Sequence, residues 1–150
     1  MKLLPNHKLN PEQLAALQMV EKILNTTDFE AWFVRARFTE LAPGMTGIGM
    51  LENSFRNQHY RFIWKIVKRP FWKFWTKEPG VTEGFTIKTY EQAFNKMTLE
   101  ERAGYLAHEM MHVMGFVHSN AKSLSRSKTV PYQVGDYVEK AVAHYVKANE

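Results

Sequence analysis

The chain has no cysteine. Disulfides and thiolate metal ligands are therefore excluded. No stretch approaches the run of about 18 apolar residues that a membrane-spanning helix needs. The first ten residues, MKLLPNHKLN, have neither the apolar run nor the small-residue cleavage site of a secretory leader. That leaves a cytoplasmic protein and an exported, processed one both open. Acidic residues are missing from one place: from Arg56 to Lys77 there are seven Lys and Arg and no Asp or Glu. The formal net charge is +5, yet outside that segment the chain carries 13 basic against 15 acidic residues. The basic character is thus a local stripe, which suggests contact with a partner or substrate more than a general affinity for nucleic acid. Methionine is also unevenly placed, and none of the eight follows Met114.

With 45% hydrophobic and 23% charged residues, the composition is that of a globular chain. Its 150 residues fit one domain and can bury a core without staples. Asn10 followed by Pro11 is a helix start, a capping side chain before proline at the first helical position. Leu14, Leu17, Val20, Ile23 and Leu24 recur at helical spacing and predict a helix to about Asn25. WFVRARF, residues 32–38, alternates in a β-prone run and predicts a strand, with a helix as the alternative. APGMTGIG, residues 42–49, reads as a turn, since its glycine spacing is not a dinucleotide fingerprint. Residues 55–70 fit both periods. Tyr60, Phe62, Trp64 and Ile66 alternate as in a strand, whereas Phe55, Phe62, Ile63, Ile66 and Val67 share a helix face. FWKFW and GFTIKT predict two strands joined by a KEPGVTE turn. TLEE, residues 98–101, is a capping box that starts a helix over about 99–114. VPYQVG then leads into a last amphipathic helix, about 134–148. The expected class is α+β: an N-terminal helix, a short mixed sheet, a central helix and a C-terminal helix.

The central helix carries HEMMHVMGFVH, residues 108–118, with three of the six histidines. His108 and His112 are one turn apart and project from the same face. Neutral imidazoles at that spacing both reach one zinc ion at about 2.0–2.1 Å. Glu109 lies between them, beside the metal without binding it, where a general base for an activated water must stand. His118 cannot join them from a continuous helix, because six residues turn the chain by about 600° and raise it about 9 Å. The helix must stop first, and Gly115 supplies the means, since glycine accepts the left-handed conformation that ends helices. His118 then returns as third ligand, and a fourth position stays open, as a catalytic zinc site requires. His7, His59 and His144 lie in polar, basic or helical surroundings and read as surface or packing residues.

These eleven residues resemble the zinc-binding signature of the metzincins, HExxHxxGxxH. The resemblance covers only this stretch, together with the order of helix, strands and active-site helix before it. It implies a zinc endopeptidase of α+β fold with a horizontal cleft, above which an edge strand pairs with extended substrate. GFTIKT and FWKFW are the candidates for that strand. The departure is the methionine turn, which in this family lies beneath the metal after the third histidine and has no methionine to form it here. VPYQVG occupies its place, so the chain looks like a divergent member, similar to metzincin-like proteins of bacteria. In some of the family a tyrosine after the methionine approaches the zinc and stabilises the oxyanion. Tyr132 is the candidate for that role, with a packed tyrosine as the alternative.

The expected function is zinc-dependent hydrolysis by a monomer, with Glu109 and Tyr132 as catalytic candidates, His108, His112 and His118 as ligands, and a peptide or protein as substrate. An amidase acting on a cell-wall peptide would use the same chemistry. From a different class, the eight aromatic and seven basic residues of 55–77 suggest a module binding an anionic surface or nucleic acid. Nucleic acid ranks behind a peptide, because aromatics in the core with lysine and arginine facing water explain the same pattern.

Overall fold

The computed structural model describes residues 1–38, 47–71, 78–118 and 126–149. Their order is β1 (Lys2–Pro5), α1 (Pro11–Leu24), α2 (Thr27–Arg35), α3 (Gly47–Ser54), β2 (His59–Val67), β3 (Gly80–Glu83), β4 (Thr86–Tyr90), α4 (Glu91–Phe94), α5 (Leu99–Val113) and α6 (Val130–Lys147). The strands form one mixed sheet in the order β1-β2-β4-β3. β2 runs parallel to both β1 and β4, and β3 returns antiparallel on β4. The expected α+β class is what is found, with α1 and α6 both packed on α5.

Local chemistry explains the two best-started helices. Asn10 and Gln13 cap α1 reciprocally, and Thr98 and Glu101 do the same for α5. Each exchange satisfies two backbone donors that the first turn would otherwise leave open. The apolar stripes then bury Leu17, Val20 and Leu24 from α1 and Ala103, Leu106 and Met110 from α5. Phe62, Trp64 and Ile87 enter the same core from the sheet. Trp64 is fully buried, and its indole N–H donates to Thr89 Oγ1 at 2.8 Å. For the ambiguous 55–70 stretch the two-residue period prevails, since Phe62 and Trp64 are the buried positions of β2.

Four expectations are corrected. Residues 32–35 are helical, not a strand: Thr26 caps α2 by accepting from the Phe29 N–H, and Phe29 and Phe33, one turn apart, are both buried. Trp32 stacks on Tyr137 of α6 at 4.3 Å between ring centres. Tertiary packing of three aromatics on one helix side overrides the β-propensity of the run. Second, the supposed KEPGVTE turn contains β3, whose partner β4 follows through a two-residue turn with Gly84 at φ +56°. The GFTIKT strand is therefore an inner strand, and β3 is the edge strand beside it. Third, the last helix begins at Val130 instead of about 134, so VPYQVG is helix and not lead-in. Pro131 sits in its first turn, where the missing N–H has no partner to lose. Fourth, Gly47–Gly49 of the glycine-rich run open α3, where a Cβ on Gly47 would meet the Val34 backbone at 3.0 Å. The rest of that run and residues 72–75 of FWKFW lie outside the described residues.

Candidate metal centre

α5 delivers His108, Glu109 and His112, and its end delivers His118. The helix closes in a Schellman motif. Gly115, at φ +94°, donates its N–H to the His112 carbonyl at 3.0 Å, and the Phe116 N–H reaches the Met111 carbonyl at 2.9 Å. This satisfies two carbonyls the helix end would leave open and reverses the chain, as His118 required. The turn has a second effect. The Phe116 carbonyl lies 2.8 Å from His112 Nδ1. A carbonyl only accepts, so Nδ1 carries the proton and Nε2 presents its lone pair to the cluster, the usual way a ligand imidazole is oriented from behind. Burial also lowers the His112 pKa, the Phe116 bond opposing, which favours the neutral form that binds metal.

The three Nε2 atoms converge. His112 Nε2 is 3.2 Å from His118 Nε2, which is 3.4 Å from His108 Nε2. Three nitrogens at about 2.0–2.1 Å from a tetrahedral ion stand about 3.3 Å apart; these two separations match that spacing, and the ligand atoms of all three residues lie within 4.8 Å of one another, so the triad is compatible with zinc. The three residues form a group able to hold a metal ion, each partly open to solvent. All-nitrogen donors from imidazole suit zinc better than magnesium or calcium, which prefer oxygen.

Glu109 is 7% exposed, and Thr82 of β3 donates its hydroxyl to Oε2 at 2.6 Å. Burial pushes the carboxyl up to about 7; the Thr82 bond opposes this and the Glu78 charge adds to it. Tyr132, in the first turn of α6, packs its ring on two of the imidazoles. Ring centres are 4.6 Å apart with His108, nearly edge-on, and 4.9 Å apart with His118. All five residues singled out from the sequence thus line one cleft of about 990 Å³, between β3, α5 and α6.

The cleft has its own charge. Among the described residues, Glu78, Glu101, Glu109, Asp136 and Glu139 line it against one lysine, Lys96. None of the described residues of the basic stripe does so. Arg56 pairs with Glu30 at 2.8 Å, and Arg69 donates to the Glu78 carbonyl at 2.6 Å. Among the described residues, the stripe is therefore not the wall of this site. Two features had no sequence signal. Thr82 lies on a strand too short to show a period, and the glycines that bring α6 onto α5, Gly104 and Gly135, are isolated within helices.

Comparison of the chain with family models, curated proteins and solved structures gives no match. The candidate site accordingly stands on its own geometry.

Proposed function

We propose that the protein is a zinc-dependent hydrolase, an endopeptidase similar to the metzincins. One observation carries this: three imidazole Nε2 atoms spaced for a tetrahedral ion, with a buried carboxylate next to them in a cleft. Zinc held by His108, His112 and His118 would supply a Lewis acid that polarises a scissile carbonyl and acidifies water. Glu109 accepts the water's proton and returns it to the leaving amine. His112 is held in one tautomer by the Phe116 carbonyl and needs no rearrangement to bind.

Tyr132 takes the place of the missing methionine turn. Its ring contacts with His108 and His118 favour an aromatic floor under the imidazoles over a hydroxyl aimed at the oxyanion. The cleft is within the size range of ligand sites, about 300–1,000 Å³. The described part of the basic stripe lies outside this cleft.

Digestion of a peptide library, with and without chelator, tests the proposal. Wild type loaded with zinc is expected to cleave, chelator to stop it, and zinc to restore it. Glu109→Ala should keep the metal and lose turnover on the order of 10²–10⁴-fold. A zinc-loaded wild type that cleaves neither peptides nor cell-wall amides would overturn the hydrolase reading.

A further inference from the structure

We propose that Thr82 is a positioning residue for Glu109, one that fixes the carboxylate through its Oε2 and leaves Oε1 for the travelling proton. This rests on the hydrolase reading above. The bond of 2.6 Å from Thr82 Oγ1 has the length of a charge-assisted hydrogen bond. Among the described residues Thr82 is the only hydrogen-bond partner of Glu109, on a side chain that is almost wholly buried. A buried glutamate has three torsions to settle, and the carboxylate plane is the softest of them. One fixed oxygen removes most of that freedom before substrate arrives.

The strand is built to reach this carboxylate. Gly80 and Thr82 are two apart on β3 and point to one face. Tyr105 and Glu109 are four apart on α5 and also share a face. Gly80 lies over Tyr105 and Thr82 lies over Glu109, so the two periods are in register where strand crosses helix. The approach at Gly80 is closer than any side chain permits: a Cβ there would stand 2.3 Å from Tyr105 Oη and 2.2 Å from the Lys88 carbonyl oxygen. Glycine is thus required at this position both by the β4 backbone beside it and by the Tyr105 hydroxyl of α5, and two residues on, Thr82 lies within hydrogen-bonding distance of Glu109. The pairing of Gly80 with Thr89 and of Thr82 with Ile87, both partners fully buried, pins that register to the core. The same face of β3 therefore both closes the cleft and orients the base.

The experiment compares Thr82→Val, which keeps the shape and removes the donor, with Thr82→Ser, which keeps the donor. Kinetics on a cleaved library peptide are read beside zinc affinity, measured by competition with a chromophoric chelator, and thermal melting. Thr82→Val is expected to lower kcat about 10- to 100-fold, with KM and zinc affinity each within about twofold of wild type. Thr82→Ser should recover most of kcat. If the valine variant fails to fold, Thr82→Ala gives the same comparison. Unchanged kcat in the donor-less variants overturns the positioning role while leaving the hydrolase intact. A parallel fall of kcat, zinc affinity and melting temperature that serine does not rescue also overturns it, since that is the mark of a structural residue. A zinc-loaded wild type with no hydrolysis sinks the hydrolase reading itself and this role with it.

Discussion

Gly104 of α5 and Gly135 of α6 face each other across the helix crossing, and a Cβ built on either would stand 3.0 Å from the other's carbonyl oxygen. The Gly135 Cβ would also lie 3.1 Å from His108 Cβ. This contact sets how near α6 comes to the metal site, and with it the place of Tyr132, three residues earlier. Gly104→Ala would put a methyl 2.8 Å from Glu139 Cβ, so α6 has to move away. Overpacking of this kind costs about 1–3 kcal/mol. Gly104→Ala and Gly135→Ala are both expected to lower the melting temperature. Both should also weaken zinc binding, because Tyr132 withdraws from His108 and His118. Melting curves with chelator competition check this, and a Gly104→Ala protein with wild-type affinity would separate the helix crossing from the site.

Gly115 and His118 make distinguishable contributions to metal binding. Space is not the constraint at Gly115, because a Cβ there meets nothing within 4 Å; the constraint is φ +94°. An L-residue forced toward that region costs about 1–2 kcal/mol, less for asparagine. Gly115→Ala is therefore expected to destabilise the metal-free protein and to weaken zinc binding together, with Gly115→Asn milder on both counts. His118→Ala leaves the helix stop in place, so it should melt close to wild type when metal-free and gain little stability from zinc. Wild type gains about 2.7 kcal/mol once zinc exceeds its dissociation constant by about 100-fold. Elemental analysis and melting with and without zinc decide; an unchanged metal content in His118→Ala would remove it from the ligand set.

These residues also mark how far the sequence could be followed. Where signals were local they were legible. Asn10 and Thr98 announced α1 and α5, helical spacing placed His108 and His112 together, and the angle from His112 to His118 required a stop that Gly115 provides. Where packing decides, they were not. Phe29, Trp32 and Phe33 make α2 a helix because their faces meet Phe55, Tyr137 and one another, contacts invisible in a β-prone heptapeptide. β3 has four residues, begins after a proline, and exists by pairing with β4. VPYQVG read as the lead-in to a helix, and Pro131 is instead inside that helix's first turn. Thr82 was missed for the same reason as its strand: its partner, Glu109, is 27 residues away.

Glu109 sets how the metal-free protein responds to pH. Burial raises its carboxyl from 4.5 to about 7, against the Thr82 bond and with the Glu78 charge adding. Across that window the folded state keeps a proton that the unfolded chain has already released. The stabilising contribution is therefore complete below pH 4.5 and is lost as pH rises through about 7. A displacement of this size corresponds to roughly 3 kcal/mol. Metal-free wild type is expected to lose up to about that much between about pH 5 and about pH 8, relative to Glu109→Gln, whose neutral side chain does not titrate. A dication at the triad reverses the local field and favours the carboxylate, so zinc should shrink the difference between the two proteins. Denaturant unfolding of both, with and without zinc across that range, measures it. Parallel stability profiles for the two metal-free proteins would mean that Glu109 is solvated in solution, and that the carboxylate beside the triad is not the buried acid on which its assignment as general base depends.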